Sequence, residues 1–275
     1  MPTEPTILVT NDDGLGVPGL TVLARALSGV GRVVIVAPDR DQSAVSHALT
    51  LKQPLRVRRH AENIYSVDGT PTDCVNLGVF NILCKRVDLV VSGINRGYNL
   101  GDDVTYSGTV AAAFEGTLLG YPSFAVSRAA MTDSGFSGAN WPHDPEDTYE
   151  CAAAFAAGLA RQILGRGMPE DTILNVNVPL PPVRGVRTTR LGKRIYKEGV
   201  VERFDPSGRQ YYWIGGTPPE WTEDSRSDYA AVVDGCVSVT PLHLDLTNDR
   251  VMATIASWNL EVPVGVAEGS SDERG

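Results

Sequence analysis

Short, almost wholly apolar runs, each followed by a polar turn and a helical stretch, constrain this chain more than any other feature. Residues 7–10 (Ile-Leu-Val-Thr), 32–37 (Arg-Val-Val-Ile-Val-Ala), 87–93, 123–126 and 172–178 form five such runs. They are too short for helices, and their apolar residues are continuous rather than alternating, as in strands covered on both faces. Between them, Pro18 suits a first helical turn, because its missing N–H costs nothing there, and Leu20, Val22, Leu23, Ala26 and Leu27 follow at helical spacing. Further helices are predicted over 72–83, 108–119 and 146–164. The alternation predicts an α/β fold with a doubly wound, mostly parallel, Rossmann-like sheet.

Past Pro179 the pattern changes. Residues 183–240 are rich in Arg, Tyr, Gly and Asp, with hairpin-like alternation at 195–201 and 210–214 and a turn at Asp205-Pro206-Ser207-Gly208. This predicts a C-terminal β-hairpin arm at about 194–228, with 237–242 returning as a strand to the body. Tyr196, Val200, Val201, Phe204, Tyr211, Tyr212, Trp213 and Ile214 make the arm apolar. A lone hairpin is marginal in water, and an apolar one invites pairing with a neighbour. The expected organisation is one domain over 1–267, with a Gly/Ser/Asp-rich loop at 131–145 and a disordered tail at 268–275.

Composition excludes some classes. A net charge of -9 speaks against coating a nucleic-acid polymer, which requires a basic surface. It leaves a small phosphate ligand open, since a metal ion and backbone amides supply local positive potential. There is no apolar run of roughly 18 residues or more, and the first residues lack a signal-peptide pattern, so the expected location is cytoplasmic, without a membrane partner. Cys74, Cys84, Cys151 and Cys236 lie far apart, with no C-x-x-C pair, and read as buried small hydrophobes.

Ligands of open α/β sheets bind beyond the carboxyl ends of the strands, so the strand-to-helix loops carry the chemistry. The first loop, Thr10-Asn11-Asp12-Asp13-Gly14-Leu15-Gly16-Val17-Pro18-Gly19, contains a formal G-x-G-x-x-G, with Asp39 ending the next strand. That is a dinucleotide fingerprint by pattern. Asp12 and Asp13, however, stand where a pyrophosphate would approach, and two bare carboxylates repel an anion unless a cation sits between them. Asp12-Asp13-Gly14 also suits a plain turn. The second loop, Ala37 to His47, reads taken alone as a polar surface turn, and His47 as a surface or capping side chain. The third runs from Ser92 to Thr109 and leads into an Ala-rich helix. Ser107 is a good N-cap, and the exposed N–H groups beside it form a ready anion site, although a plain N-cap explains Ser107 equally well. A loop this rich in Gly and Asn is longer than a connection needs.

Taken together, Val9-Thr10-Asn11-Asp12-Asp13-Gly14, Ala37-Pro38 with Gln42-Ser43, Gly69-Thr70-Pro71-Thr72-Asp73-Cys74-Val75 and the long motif from Ser92-Gly93-Ile94-Asn95 through Tyr106-Ser107-Gly108-Thr109-Val110 to Glu115-Gly116 resemble the SurE family of nucleotidases. The resemblance covers residues 6–128 closely and is looser at 175–179 and 238–242. His47 departs from it, and 131–145 does not align.

The resemblance implies one divalent ion per subunit, held by Asp12, Asp13, Ser43 and Asn95. These are hard oxygen donors that suit Mg²⁺ or Mn²⁺, with Ca²⁺ as a crystal substitute, over zinc. It further implies phosphate binding by Asn99, Ser107, Gly108 and Thr109, with Asp12, Asn99 and Ser107 in catalysis and Asp12 as base or nucleophile. The expected activity is hydrolysis of nucleoside 5′- and also 3′-monophosphates. Family members also form dimers through exchanged C-terminal hairpins, often paired into tetramers, so a homodimer or homotetramer is expected. Two alternatives stay open: a non-catalytic nucleotide sensor and an NAD-dependent dehydrogenase.

Overall fold

A computed structural model describes residues 4–130, 144–195, 200–214 and 220–261. The strands are β1 (Thr6–Thr10), β2 (Arg32–Pro38), β3 (Val57–Ala61), β4 (Ile64–Val67), β5 (Leu89–Arg96), β6 (Ser123–Arg128), β7 (Thr172–Val178), β8 (Gly185–Thr188), β9 (Arg194–Ile195), β10 (Val200–Phe204), β11 (Gln210–Ile214), β12 (Glu220–Trp221) and β13 (Cys236–His243). The helices are α1 (Pro18–Leu27), α2 (Pro71–Leu77), α3 (Gly108–Leu118), α4 (Glu150–Arg166), α5 (Asp228–Val233) and α6 (Asp249–Ala256).

Nine strands form one sheet in the order β3-β4-β2-β1-β5-β6-β7-β13-β8. The six strands from β4 to β7 run parallel; β3 and β13 are antiparallel to β4 and β7, and β8 runs parallel to β13. All five expected body strands are present, and Thr172–Val178 has the expected bounds. The apolar runs are continuous because both faces are covered. Ile7, Val9, Leu89 and Val91 pack under α1 and α4, whereas Leu8, Val34, Val36 and Val90 pack under α2.

From β1 the chain winds outward through β2 to β4, then returns to β5 and winds the other way. The strand order reverses between β1 and β5, and their register aligns Thr10, the last residue of β1, with Ser92, beyond which β5 runs on to Arg96. An open α/β sheet offers its ligand crevice at such a switch point. The first and third loops flank it.

The helix expected over 72–83 is α2 followed by a wider turn over Gly78–Ile82. Thr70 and Asp73 form a capping box, with Pro71 in the first turn, which explains the Gly69–Val75 motif locally. The helix expected over 146–164 opens as a 3-10 turn, Glu146–Tyr149, before α4. Two of the four free cysteines are buried as expected, Cys74 and Cys236; Cys151 is half-buried and Cys84 exposed.

The region past Pro179 divides more finely than its composition suggested. β8, α5 and β13 belong to the body, since β8 and β13 are sheet strands and α5 packs on β13. What projects is the β10–β11 hairpin, rooted on the short β9–β12 pair. The hairpin carries Phe204, Tyr212, Trp213 and Ile214 exposed. The described residues up to Leu244 fall in one compact unit, and a second begins at Asp245 and contains α6, whose Val251, Met252 and Ile255 are exposed. The loop at 131–143 and the tail at 268–275 lie outside the described residues. No helix among the described residues is long and apolar enough to cross a membrane.

Candidate active site

Three loops meet at the switch point, and backbone bonds lock them together. The Gln42 amide donates to the Asp12 carbonyl at 2.8 Å and the Leu15 amide to the Pro38 carbonyl at 2.8 Å, joining the first loop to the second. The Ser46 amide and hydroxyl donate to the carbonyls of Tyr106 (3.1 Å) and Thr105 (2.7 Å), joining the second to the third. The first and third are joined through Asp12 itself.

Asp12 is buried, and its carboxylate accepts from the Thr109 amide at 3.1 Å and from the Thr109 hydroxyl. Gly108 is what allows this approach. A Cβ at Gly108 would lie 2.9 Å from the Asp12 Cβ and 3.3 Å from Pro71. Burial pushes the Asp12 carboxyl up from its ordinary range, against the lowering effect of the Thr109 bonds. Burial pushes Asp13 up to about 7, and the Asp12 and Asp41 charges add to that push. The nearby Arg96 backbone amide and guanidinium act the other way. The influence of Arg96 on it places Asp13 near the end of β5, where Asn95 also sits.

Asn95 follows a register shift in the β5–β6 pairing, the kind of irregularity that re-aims a side chain at a strand end. Its Nδ2 donates to the Gly97 carbonyl at 2.9 Å, which leaves Oδ1 without a partner among the described residues. Ser43 is exposed, and both its amide (2.7 Å) and its hydroxyl (2.6 Å) donate to Asp41 Oδ1. Its hydroxyl lone pairs are thereby left available as acceptors.

The expected phosphate residues are more engaged than the sequence suggested. The Ser107 hydroxyl accepts from the Val110 amide at 3.1 Å as the N-cap of α3. Thr109 gives both its amide and its hydroxyl to Asp12. Asn99 is buried, with its amide donating to Asn177 Oδ1 and its side-chain Nδ2 to the Ser127 hydroxyl, each at 2.8 Å. Its carbonyl accepts from Asn175 at 2.8 Å and Asn177 at 3.0 Å.

Sequence reasoning passed over Asn175, Asn177, Ser127, Asp41 and Arg96. Asn175 and Asn177 did carry a signal, because a buried asparagine inside an apolar strand costs energy unless it is hydrogen-bonded. His47 is also explained. Its Nε2 lies 2.7 Å from the buried Glu115, which also accepts from Asn76 Nδ2 at 2.5 Å. That pairing ties the second loop to α3.

The fit to a divalent cation can be tested on these contacts. Two desolvated carboxylates stand together, and Asp12 meets no cationic side chain among the described residues. The Asn95 Oδ1 and the lone pairs of the Ser43 hydroxyl remain open as acceptors, and the buried Asn11 Oδ1 and Ser92 Oγ have no partner among the described residues. Oxygen donors around two desolvated carboxylates, of which only Asp13 feels a nearby guanidinium, suit a hard divalent ion.

The likeness to known proteins is extensive. The family model described as Survival protein SurE matches residues 7–198. A 5′-nucleotidase SurE of Geobacter sulfurreducens is 54% identical over 257 residues, covering 92% of this chain and 94% of that protein. One of Geotalea uraniireducens is 52% identical over 257 residues, covering 92% and 99%. The crystal structure of the SurE protein from Aquifex aeolicus superposes with a TM-score of 0.77 at 45% identity, over 92% of this chain and 99% of that one. A family match across most of the sheet, near-full-length relatives above half identity and a common fold leave one assignment: the chain belongs to the SurE family.

Proposed function

We propose that this protein is a divalent-metal-dependent nucleotidase that hydrolyses nucleoside 5′-monophosphates, and 3′-monophosphates as well, to nucleoside and phosphate in the cytoplasm. The observation that carries the reading is the desolvated Asp12–Asp13 pair at the switch point, with the Asp12 carboxylate accepting from Thr109 in the first turn of α3. The 5′-nucleotidase relatives support the same activity.

Asp12, Asp13, Ser43 and Asn95 would hold Mg²⁺ or Mn²⁺. A cation bound there polarises the phosphoryl group and lowers the pKa of a bound water. The Gly108 N–H at the start of α3, with Ser107 and Asn99, would orient the phosphate for in-line attack, while Thr109, also expected there, spends its amide and hydroxyl on Asp12. Asp12 is both a ligand and the base or nucleophile. In the base route, the bond from phosphorus to the water oxygen forms as the bond to the ribose oxygen breaks, and Asp12 takes the water's proton and hands it to the leaving alkoxide.

Phosphate release from a panel of nucleoside monophosphates tests the reading. Release should require Mn²⁺ or Mg²⁺; binding without metal-stimulated release would instead identify a nucleotide sensor. Zinc restoring more activity than manganese would overturn the oxygen-donor set.

For assembly, the exposed hairpin supports at least a homodimer with exchanged arms, and pairing of dimers would give a tetramer. Sedimentation of the intact protein should show a dimer or larger at micromolar concentration. Replacing residues 200–214 by a short linker should shift it to monomers or aggregates. An intact protein that sediments as a monomer would leave the arm as a flap on its own subunit.

A further inference from the structure

The third loop is held from two sides, and only one of them belongs to the sheet. Asn99 hangs from β6 and β7, as described. The 3-10 turn that follows it, Gly101–Thr105, is held by the root of the arm. Asp228, buried at the start of α5, accepts from the Gly101 amide through Oδ2 at 2.8 Å. Its Oδ1 accepts from the amides of Gly192 and Tyr229, each at 2.8 Å. The backbones meet closely here: a Cβ on Gly101, whose φ is +53°, would lie 2.5 Å from the Gly192 carbonyl oxygen.

Two ion pairs extend the clamp. Lys193 Nζ lies 3.1 Å from Asp102, and Arg194 Nη1 lies 2.6 and 2.8 Å from the two oxygens of Asp103. Arg194 pairs with Trp221 across β9 and β12, and the Trp221 ring stacks on Tyr229 at 4.6 Å. Every group on the far side of the clamp thus belongs to the root of the arm or to α5. Asp228 lies beyond the residues matched by the family model. A buried carboxylate is costly, and one that collects three backbone N–H groups from three separate segments fixes those segments relative to one another.

We propose that Asp228, with Arg194, is a positioning residue that holds the phosphate-binding loop in its binding-competent shape from the root of the arm. The inference rests on the nucleotidase reading. Neither residue needs to touch substrate. Loosening the clamp lowers the fraction of molecules whose loop is ready, and apparent affinity falls by that fraction. A loss of this kind weakens ground-state and transition-state binding equally, so KM rises while kcat holds.

The test uses full-length protein with Mn²⁺, comparing wild type with Asp228→Asn, Arg194→Gln and Arg194→Lys. The first two should raise KM for a nucleoside monophosphate, and Ki for inorganic phosphate, by roughly 3- to 10-fold, with kcat within about twofold of wild type. Arg194→Lys, which keeps the cation, should restore most of the affinity. Wild-type KM and Ki in folded Asp228→Asn and Arg194→Gln would overturn the inference, as would losses confined to kcat or to melting temperature. If Asp228→Asn does not fold, Arg194→Gln, altered at a side chain 27% exposed, decides alone. A wild-type protein without metal-stimulated phosphate release overturns the nucleotidase reading and this inference with it; an active wild type with unaffected variants overturns the clamp alone.

Discussion

Asp12→Asn should lower kcat for nucleoside monophosphate hydrolysis by at least ~10²-fold, the scale of losing a general base. The substitution keeps the shape of the side chain and removes its charge, its basicity and much of its strength as a metal ligand. The fold should survive. Asp12 follows β1 rather than lying within it, and its burial already works against the charged form. Melting should therefore stay within roughly 2–4 °C of wild type, the scale of a change of about 1 kcal/mol in a domain of this size. Steady-state rates and a thermal melt of the same purified variant check both halves. A near-wild-type rate would reassign Asp12 to its other visible task, accepting the two Thr109 donors at the start of α3.

Chelation should abolish turnover, and added Mn²⁺ or Mg²⁺ should restore it; full turnover in excess EDTA would remove the metal from the scheme. Stability gives a second readout of the same ion. Asp13 has a folded-state pKa of about 7 against an ordinary 3.8, so between those values the native state binds a proton that the unfolded chain does not. In chelator, its contribution is fully present below about pH 3.8 and is lost as pH rises through about 7. The melting temperature of wild type minus that of Asp13→Asn should accordingly fall from pH 5 to pH 8 in EDTA and flatten above. Saturating Mn²⁺ binds the ionised carboxylates and not the unfolded chain, so it should raise the wild-type melt most at the alkaline end. A difference curve that is flat in EDTA would mean that Asp13 keeps an ordinary pKa.

Much of this molecule was written in its sequence. The five apolar runs predicted a covered, mostly parallel sheet, because a strand buried on both faces has no solvent side to alternate toward. The first, second and third loops stood out by composition, and the length of the third-loop motif carried the family. β3, β4 and β8 were not legible. They lie toward the two ends of the sheet, where β3 is exposed along its length and polar residues interrupt the apolar pattern. α6, with its apolar residues exposed, was missed as well.

The residue types of the site were thus set by the sequence alone, since turn-forming carboxylates after one strand and an N-capping serine after another are local choices. Their relations were not. That Asp12 takes both Thr109 donors, that His47 and Asn76 share Glu115, and that Asp228 reaches back across the chain to Gly101 follow from contacts between segments distant in sequence. Local propensity and periodicity act over a turn or a strand and carry no record of which segment will lie opposite. Only the order of strands in the sheet brings those partners within hydrogen-bonding distance, and with it the burial that shifts their charges.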